Sequence, residues 1–398
     1  MSEVSAQYEA YPYPERDPRD EVKRLISGSP SHPLEIDHFI YAGRRDWSVP
    51  LRALVAGGGT GDGLVQLAQM MAQLGKPCEI TYVDLSKAAR EIAEARVEAR
   101  GLSGIRFVTG SLLAAPDLGE FDYIDCCGVL HHLPDPAAGF TALRAALAPG
   151  GGMGFMVYAP YGRSGVYPLQ EAFGALFEGL SPEARLKKAR ALLARLPEGH
   201  PFKRNPHLND HKSSDAGFYD LLLHSQDRAF DLAALTEMLD KTGWALSGFT
   251  TPALYDLGRI TDIPEGMAPR EQMGLAEKLN GTLKTHVGYA VAQGSGQAPA
   301  SGRSRSLVPH LKGAQPRALA QAVAKGQSPK LSGGVIEARL HLPADSAPLL
   351  AAIDGHRTLN EIAAATGTDP IRMGALWGRI EAELGGWGML LYSSIQRS

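Results

Sequence analysis

The sequence predicts an α/β fold, in which a parallel sheet is wound on both faces by helices. The first observation is an apolar run that starts at Arg52 and breaks into glycines before Gly63, with a second apolar run from Leu64 to Leu74. The second observation is the regular alternation of β-rich and helical segments over the next hundred residues. Together they indicate a strand, a tight loop and a helix, repeated along one sheet.

The glycine-rich loop is the first candidate binding element. Glycines allow the backbone to adopt positive φ angles and to approach a ligand closely, and the helix behind them offers free N–H groups. A glycine cluster alone is also compatible with an ordinary turn. The segments that follow favour a nucleotide-like cofactor over that alternative.

The following elements keep the same order. A second strand, Ile80 to Leu85, contains Asp84, which follows the glycines by about the interval at which a carboxylate receives a ribose. A helix from Lys87 to Arg100 comes next, and a third strand from Ile105 to Val108 follows it. A fourth strand is expected from Phe121 onward.

Five ordered motifs carry a resemblance to a known family. They are Leu-Val-Ala-Gly-Gly-Gly-Thr-Gly, Val-Asp-Leu-Ser, Phe-Asp-Tyr-Ile, Gly-Val-Leu-His-His-Leu-Pro-Asp-Pro and Leu-Ala-Pro-Gly-Gly-Gly. This series resembles class I S-adenosylmethionine-dependent methyltransferases, most closely bacterial ones with a Tyr/Pro-rich N-terminus. The likeness covers residues 50 to 160, and more weakly those up to 292. It implies a doubly wound, Rossmann-like, seven-stranded sheet and S-adenosylmethionine as the cofactor.

The resemblance also implies which residues bind the cofactor. The glycines of the loop would surround its amino-acid part, Asp84 would hold both ribose hydroxyls, and the segment from Cys127 would pass near its methionine portion. The implied set is Ala56, Gly57, Gly59, Gly61, Asp84, Leu85, Ser111, Leu112, Cys127, Gly128 and Val129.

Three positions depart from the family's pattern. Ser111 stands where relatives often have an aspartate that contacts the adenine amino group, and a hydroxyl lacks the charge assistance of a carboxylate. Val55 stands where many relatives carry an acidic residue, and Gly58 replaces a frequent cysteine. These changes affect the expected binding geometry more than the family assignment.

The catalytic residue is left unknown, with five candidates. Because histidine ordinarily titrates near neutrality, His131 and His132 are candidates for a general base, although the same pair can instead support the cofactor loop. Tyr11 and Tyr13, in the N-terminal segment, would line a methyl-transfer pocket or pack on the core surface. His224 belongs to a polar group that recognises an acceptor or caps the next helix. Because methyl transfer needs little beyond in-line alignment, no base is obligatory.

The domain organisation is predicted from composition and pattern. Residues 1–50 form a helical N-terminal lid segment, and residues 51–293 form the main domain with a helical lid insertion at about 161–228. A segment at 294–306 has almost no apolar side chains and is expected to be a flexible linker. Residues 307–398 suggest a small α+β, winged-helix-like domain that binds peptides, regulates the enzyme or forms a homodimer.

Composition limits the function classes. The chain has 398 residues and a net charge of −3, so no basic excess points to nucleic acid. It has no apolar run long enough for a bilayer and no signal peptide at its start, which predicts a cytoplasmic protein without a membrane partner. His207 and His211 have helical ligand spacing, but Pro206 favours a loop, and we expect no metal.

The leading hypothesis is a methyltransferase that modifies an N, O or S nucleophile on a small molecule or peptide. The alternative is a noncatalytic cofactor-binding or regulatory protein with a degenerate site at Val55 and Ser111 and a partner-binding C-terminal domain. A third hypothesis keeps the fold but uses another dinucleotide. The preserved glycines and Asp84 favour the enzyme.

Overall fold

The protein is described by a computed structural model that covers residues 3–333 and 336–397, with side chains from Gln7 onward. Its main feature, within those residues, is a seven-stranded sheet with the strand order β3-β2-β1-β4-β5-β7-β6. Strand β7 runs antiparallel to β5 and β6, and the other neighbours are parallel. The strands are β1 Leu51–Ala56, β2 Cys78–Asp84, β3 Ile105–Thr109, β4 Phe121–Cys127, β5 Leu147–Tyr158, β6 Trp244–Phe249 and β7 Thr285–Ala292.

Helices cover both faces of this sheet, as the sequence predicts. They are α1 Glu3–Ala10, α2 Pro33–Ile40, α3 Asp62–Gln73, α4 Lys87–Ala99, α5 Ala115–Leu118, α6 Pro136–Ala145, α12 Leu232–Lys241 and α13 Pro269–Asn280, the last two numbered after the helices of the insertion. Local sequence explains their starts: Ser86 caps α4 through its hydroxyl, which accepts from the N–H of Ala89, and Pro33 occupies the first turn of α2. The predicted helix from Asp20 to Ile26 is instead a short 3-10 turn at Pro18–Val22.

Two apolar cores lie on opposite faces of the sheet. One contains Leu54, Ile124 and the side chains of α6 and α12, and the other contains Ala53, Val55 and the side chains of α2, α3 and α4. Alternate residues of β1 therefore face different cores, as expected for a sheet buried on both sides. Among the described residues, no helix is both long and apolar enough to cross a membrane.

A group of helices is inserted after β5 and has its own small core. These helices are α7 Val166–Leu176, α8 Pro182–Arg195, α9 Pro201–Arg204, α10 Asp210–Ser213 and α11 Asp215–Leu223. Phe173, Phe202 and Phe218 are buried together among them. We call this group the insertion; it lies beside the carboxyl ends of β4 and β5.

The segment at 294–306 differs from the flexible linker that its composition predicts. The N–H of Ala300 donates to the carbonyl of His38 at 2.8 Å, and the side-chain amide of Gln297 donates to the carbonyls of Ile40 and Gly150. Ala300 itself is buried. Hydrogen bonds to α2 and to Gly150, together with the burial of Ala300 in the core of the C-terminal unit, hold the segment in place.

The C-terminal unit combines four helices with two small antiparallel strand pairs in the described residues. Strand β8 Pro309–Leu311 pairs with β11 Leu390–Tyr392, and β9 Lys330–Gly333 pairs with β10 Ile336–Arg339. The helices are α14 Pro316–Ala324, α15 Ala347–Ala351, α16 Leu359–Thr366 and α17 Pro370–Ile380. The predicted strand from Gly334 to Leu342 begins outside the described residues. The winged-helix likeness is not confirmed, since the hairpin precedes the helix pair α16–α17.

Candidate functional site

A cleft of about 470 Å³ opens at the carboxyl ends of β1, β2, β4 and β5. This is the edge of a parallel sheet where ligands bind in open α/β folds. The N-terminal segment and the insertion complete its walls. The lining includes Tyr8, Tyr13, Arg16, Ser29, Ala56, Gly57, Gly59, Asp84, Leu85, Ser111, Leu112, Asp125, Cys127, Gly128, Val129, His132, Met156, Tyr158 and Asp220. Every predicted cofactor residue except Gly61 is among these.

The glycine loop is packed too tightly for side chains. Gly57 and Gly59 have φ angles of 69° and 51°, in the left-handed region. A Cβ at Gly57 would overlap the side chain of Val129, and one at Gly59 would lie 2.8 Å from the carbonyl oxygen of Tyr13. Gly61 begins α3 just behind the cleft.

Asp84 holds this loop in position. Its Oδ2 accepts a hydrogen bond from the N–H of Gly59 at 2.8 Å, and its Oδ1 accepts from the N–H of Ser86 at the same distance. Burial raises the pKa of the Asp84 carboxyl. Because each carboxylate oxygen has further lone pairs, Asp84 can still accept from a diol in the cleft. A hydrogen-bond acceptor at this position fits the two hydroxyl groups of a ribose.

Ser111 lies at the far end of the cleft, beyond β2. Its Oγ accepts from the N–H of Leu113 at 3.2 Å and so caps the short turn Leu112–Ala114. The hydroxyl proton remains available to donate. Leu85 and Leu112 supply apolar surface beside it, which suits a flat, weakly polar ring.

The N-terminal segment packs over the glycine loop. The hydroxyl of Thr60 donates to the carbonyl of Pro14 at 2.7 Å, and Arg16 makes a two-point ion pair with Asp62 at 2.9 and 2.6 Å. Tyr13 lines the cleft. Tyr11, the other predicted tyrosine, stacks on Tyr219 with ring centroids 5.2 Å apart and does not line it.

Asp220 collects hydrogen bonds at the end of the cleft next to the insertion. The hydroxyl of Tyr158 donates to its Oδ2 at 3.0 Å, and that of Tyr8 donates to its Oδ1 at 3.3 Å. His224 Nδ1 accepts from the N–H of Gln226 at 3.1 Å, so its proton lies on Nε2, 3.2 Å from the Tyr8 oxygen. His224 thus donates to Tyr8, and Tyr8 donates to Asp220. We call the four residues Tyr8, Tyr158, Asp220 and His224 the Asp220 network. Burial raises the pKa of Asp220.

The two adjacent histidines have different environments. His132 lines the cleft, and its Nδ1 lies 2.9 Å from the carbonyl of Gln226, which fixes the proton on Nδ1 and leaves the Nε2 lone pair free to accept. Burial lowers the pKa of His132 to about 3, so the ring is neutral. His131 packs behind Tyr158 with ring centroids 3.9 Å apart, and neither of its nitrogens has a partner among the described residues.

His132, Asp220 and His224 are residue types that could hold a metal ion, and their ligand atoms lie within 4.8 Å of one another. The two imidazole rings, however, stack with centroids 3.8 Å apart and planes only 17° from parallel. Parallel rings direct their in-plane lone pairs side by side rather than toward one point. The cluster is therefore arranged for hydrogen bonding.

A charged pair supports the cluster from behind. Arg163 donates to Asp227 at 2.9 Å, and its guanidinium lies 3.6 Å from the centre of the Tyr158 ring. Gln170 donates to the same carboxylate oxygen at 2.9 Å. The sequence alone leaves three roles open for Asp227: orienting an acceptor, capping the next helix or pairing with Arg228. In the structure it is the buried partner of Arg163.

Sequence reasoning gave no site role to Asp125 or Tyr158, and it considered Asp220 only as the start of a polar segment, Asp220 to Arg228, that could recognise the acceptor. Asp125 is buried in β4, and its Oδ2 accepts from the hydroxyl of Ser31 at 2.5 Å. A signal was present: Asp125 and Asp220 each stand alone as a charge inside an apolar run. Such residues are almost never fully buried without a reason.

Comparisons with known proteins agree with this geometry. Residues 54–153 match the model of a family described as a methyltransferase domain. An uncharacterized protein of Synechococcus sp. is 31% identical over 277 residues, which are 68% of this chain and 64% of that protein. A ubiquinone biosynthesis O-methyltransferase of Alkalilimnicola ehrlichii is 34% identical over 141 residues, which are 34% of this chain and 51% of that protein.

Among solved structures, PKMT2 from Rickettsia typhi in complex with AdoHcy matches with a TM-score of 0.62 and 14% identity. The match covers 93% of this chain and 77% of that one, so the shared fold extends into the C-terminal unit. At this identity the likeness concerns the fold alone. The chain spans between half and two thirds of the length of the two curated relatives above.

Proposed function

We propose that this chain, which belongs to the class I S-adenosylmethionine-dependent methyltransferases, transfers the sulfonium methyl group of that cofactor to a nucleophile on a small molecule or peptide. Nitrogen, oxygen and sulfur are the candidate acceptor atoms. The matched domain and the fold support the family. The proposal extends this family assignment to the activity.

One observation carries the proposal: the Gly59–Asp84 hydrogen bond joins the glycine loop and the acidic end of β2 into one cradle. In our proposal Asp84 accepts from the ribose hydroxyls, the loop from Gly57 surrounds the amino-acid part, and Ser111 contacts the adenine. The cofactor supplies an electrophilic methyl group. The bound AdoHcy of the Rickettsia protein supports this choice of cofactor.

The acceptor would bind at the other end of the cleft, beside His132 and the Asp220 network. The free Nε2 of His132 can accept a hydrogen bond from an acceptor O–H or N–H and so direct its lone pair. The rings of Tyr13 and Tyr158 also line the cleft. Because His132 has a pKa of about 3, we propose that its ring orients the acceptor and does not take up the acceptor's proton.

The alternative of a noncatalytic protein is not favoured by the comparisons. Its sequence basis was the loss of familiar residues at Val55 and Ser111, yet Ser111 lines the cleft and keeps a donor free. The names of several relatives specify an O-methyltransferase. An oxygen acceptor is one of the three classes that the proposal includes.

Calorimetric titration with S-adenosylmethionine and S-adenosylhomocysteine tests the proposal. We expect binding by the wild type, and a loss of about 10- to 100-fold in Asp84→Ala, because two hydrogen bonds to a charged group disappear. Asp122→Ala is the matched control, since Asp122 lies at the opposite end of β4 and pairs with Arg52. NAD serves as a control ligand.

A wild type that binds neither compound, with none co-purifying, would contradict the proposal. Equal losses in Asp84→Ala and Asp122→Ala would mean that the effect is one of stability. Circular dichroism of each variant separates these cases.

A further inference from the structure

Asp125 is a buried carboxylate that has no role in the proposed function. Only 2% of its surface is exposed. Its Oδ2 accepts from Ser31 at 2.5 Å and from Ser29 at 3.4 Å. Its Oδ1 has no hydrogen-bond partner among the described residues, although the side chain lines the cleft.

The position of Asp125 in the sheet is specific. It pairs in register with Val55 on the neighbouring parallel strand, so both side chains point to the face covered by α3. Val55 is the position where the sequence lacks an acidic residue that many relatives carry. A carboxylate is therefore present one strand away, at the same level of the sheet.

The first turn of α3 packs closely over Asp125, and no cation of the chain pairs with it in the described residues. A Cβ at Gly63 would overlap Asp125 Oδ2, so the first turn of α3 packs directly over the carboxylate. The nearby cations are committed elsewhere: Arg16 pairs with Asp62, and Arg96 pairs with Glu21 and Asp62. No ion pair to Asp125 is found in the described part of the chain.

A buried carboxylate without a counter-charge is costly, and the unpaired Oδ1 requires a donor. The cofactor of the proposed function carries two cationic groups. The sulfonium has no hydrogen to donate, whereas the α-ammonium has three N–H donors. Strand β4 lies next to β1, so Asp125 is near the carboxyl ends of the two strands that lead into the glycine loop and Gly128, where the amino-acid part is expected in our proposal.

We infer that Asp125 binds the α-ammonium group of the cofactor's methionine portion and thereby selects ligands that carry this group. The inference rests on the proposed function. Ser29 and Ser31 act as positioning residues, because their hydroxyls hold Oδ2 and leave Oδ1 as the oxygen without a partner among the described residues.

The test compares two ligands that differ only in the ammonium group: S-adenosylhomocysteine and its deaminated analogue, S-adenosyl-4-thiobutyrate. We expect the wild type to prefer the amine-bearing ligand by about 10- to 100-fold, as for a charge-assisted hydrogen bond. The isosteric variant Asp125→Asn should bind both ligands with nearly equal dissociation constants. Ser111→Ala is the control, because it alters the adenine end and should keep the wild-type preference.

The outcomes separate the inference from the proposed function. A wild type that binds neither ligand contradicts the proposed function, whereas a wild type that binds both equally overturns only the role of Asp125. An unchanged preference in Asp125→Asn, or in Asp125→Ser as a second variant, also overturns it. A loss in Asp125→Asn that is larger for S-adenosylmethionine than for S-adenosylhomocysteine would assign the contact to the sulfonium and overturn the inference too.

Discussion

A residue of the cleft can serve ligand binding and at the same time reduce the stability of the fold, and Asp125 is an example. Burial raises the pKa of Asp125 to about 6, above the value of about 3.9 for an exposed aspartate. Below pH 4 the carboxyl group is protonated in both the folded and the unfolded chain. As the pH rises through 6, the folded chain must ionise this carboxyl group although burial disfavours its charge, whereas the unfolded chain ionises it freely. The free energy of unfolding therefore falls.

We therefore predict a pH-dependent difference in unfolding free energy between Asp125→Asn and the wild type. The amide of Asn does not titrate. The unfolding free energy of the variant should therefore rise relative to that of the wild type by about 3 kcal/mol between pH 4 and pH 7, because the shift in the wild type is about two pKa units. Urea denaturation of the ligand-free proteins at several pH values measures this. A difference that stays constant with pH would show that Asp125 has an ordinary pKa.

Asp122→Asn is the control with the opposite sign. Burial acts to raise the pKa of Asp122, but hydrogen bonds from Arg52 outweigh it and lower the pKa overall. Its stabilising contribution is present above the unfolded pKa and is lost as the pH falls through the folded pKa. Asp122→Asn should therefore lose stability relative to the wild type at neutral pH, and this deficit should shrink in acid.

The residues of the glycine loop and Asp84 could be predicted because each lies within one strand-loop-helix unit. The histidine pair shows the limit: adjacent in sequence, His131 and His132 differ because a turn directs one ring behind Tyr158 and the other to the cleft. Asp220 and Tyr8 are 212 residues apart in sequence. No local pattern reports such a contact.

At the scale of secondary-structure elements, the start of α3 is adapted to Asp125. We predict that Gly63→Ala destabilises the protein by about 1–3 kcal/mol, because the new methyl group overlaps the carboxylate. Gly174→Ala, in the last turn of α7, meets nothing within 4 Å and should stabilise by about 0.5–1 kcal/mol through helix propensity. Denaturant titrations of both variants check the contrast, and a stabilised Gly63→Ala would contradict the packing described here.

Elements were predicted best where alternation was strong. The β-rich runs Trp244 to Phe249 and Thr285 to Ala292 are predicted as strands, and β6 and β7 have these bounds. The helices differ from their predicted bounds by a few residues at their ends. Strand β5 is longer than predicted, since it begins at Leu147 and continues through the glycines to Tyr158. Propensity disfavours glycine in strands, but here pairing with β4 and β7 on both sides determines the conformation.

At the scale of the whole molecule, the C-terminal unit shares a core with the sheet. Leu391 and Ile395 are buried together with Ile36 of α2 and with α3. The carboxylate of Asp37 accepts from the hydroxyl of Ser393 at 2.6 Å and from the indole N–H of Trp47 at 3.0 Å. The composition of 294–306 predicts two independent units, yet these contacts join them. Such long-range packing could not be read from local composition.

We predict that Ile395→Ala lowers the free energy of unfolding of the entire chain by about 2–5 kcal/mol, because it leaves a cavity in the shared core. The amides of β1 should lose hydrogen-exchange protection to the same extent. Ile371→Ala is the matched control, since Ile371 is 87% exposed and its truncation should change stability by less than about 0.5 kcal/mol. Loss of protection confined to the C-terminal unit would show that the units unfold separately. Homodimerisation through this unit stays a prediction.

The N-terminal segment has a consequence for the time that a ligand stays in the cleft. Its bonds to Asp62 and Thr60 lie across the glycine loop, and the pair Arg96–Glu21 anchors the segment further along the chain. A ligand that fills the cleft leaves only after this segment has opened locally. Its residence time is then governed by the opening rate of the segment, and affinity alone does not determine how fast the spent cofactor is exchanged for a fresh one.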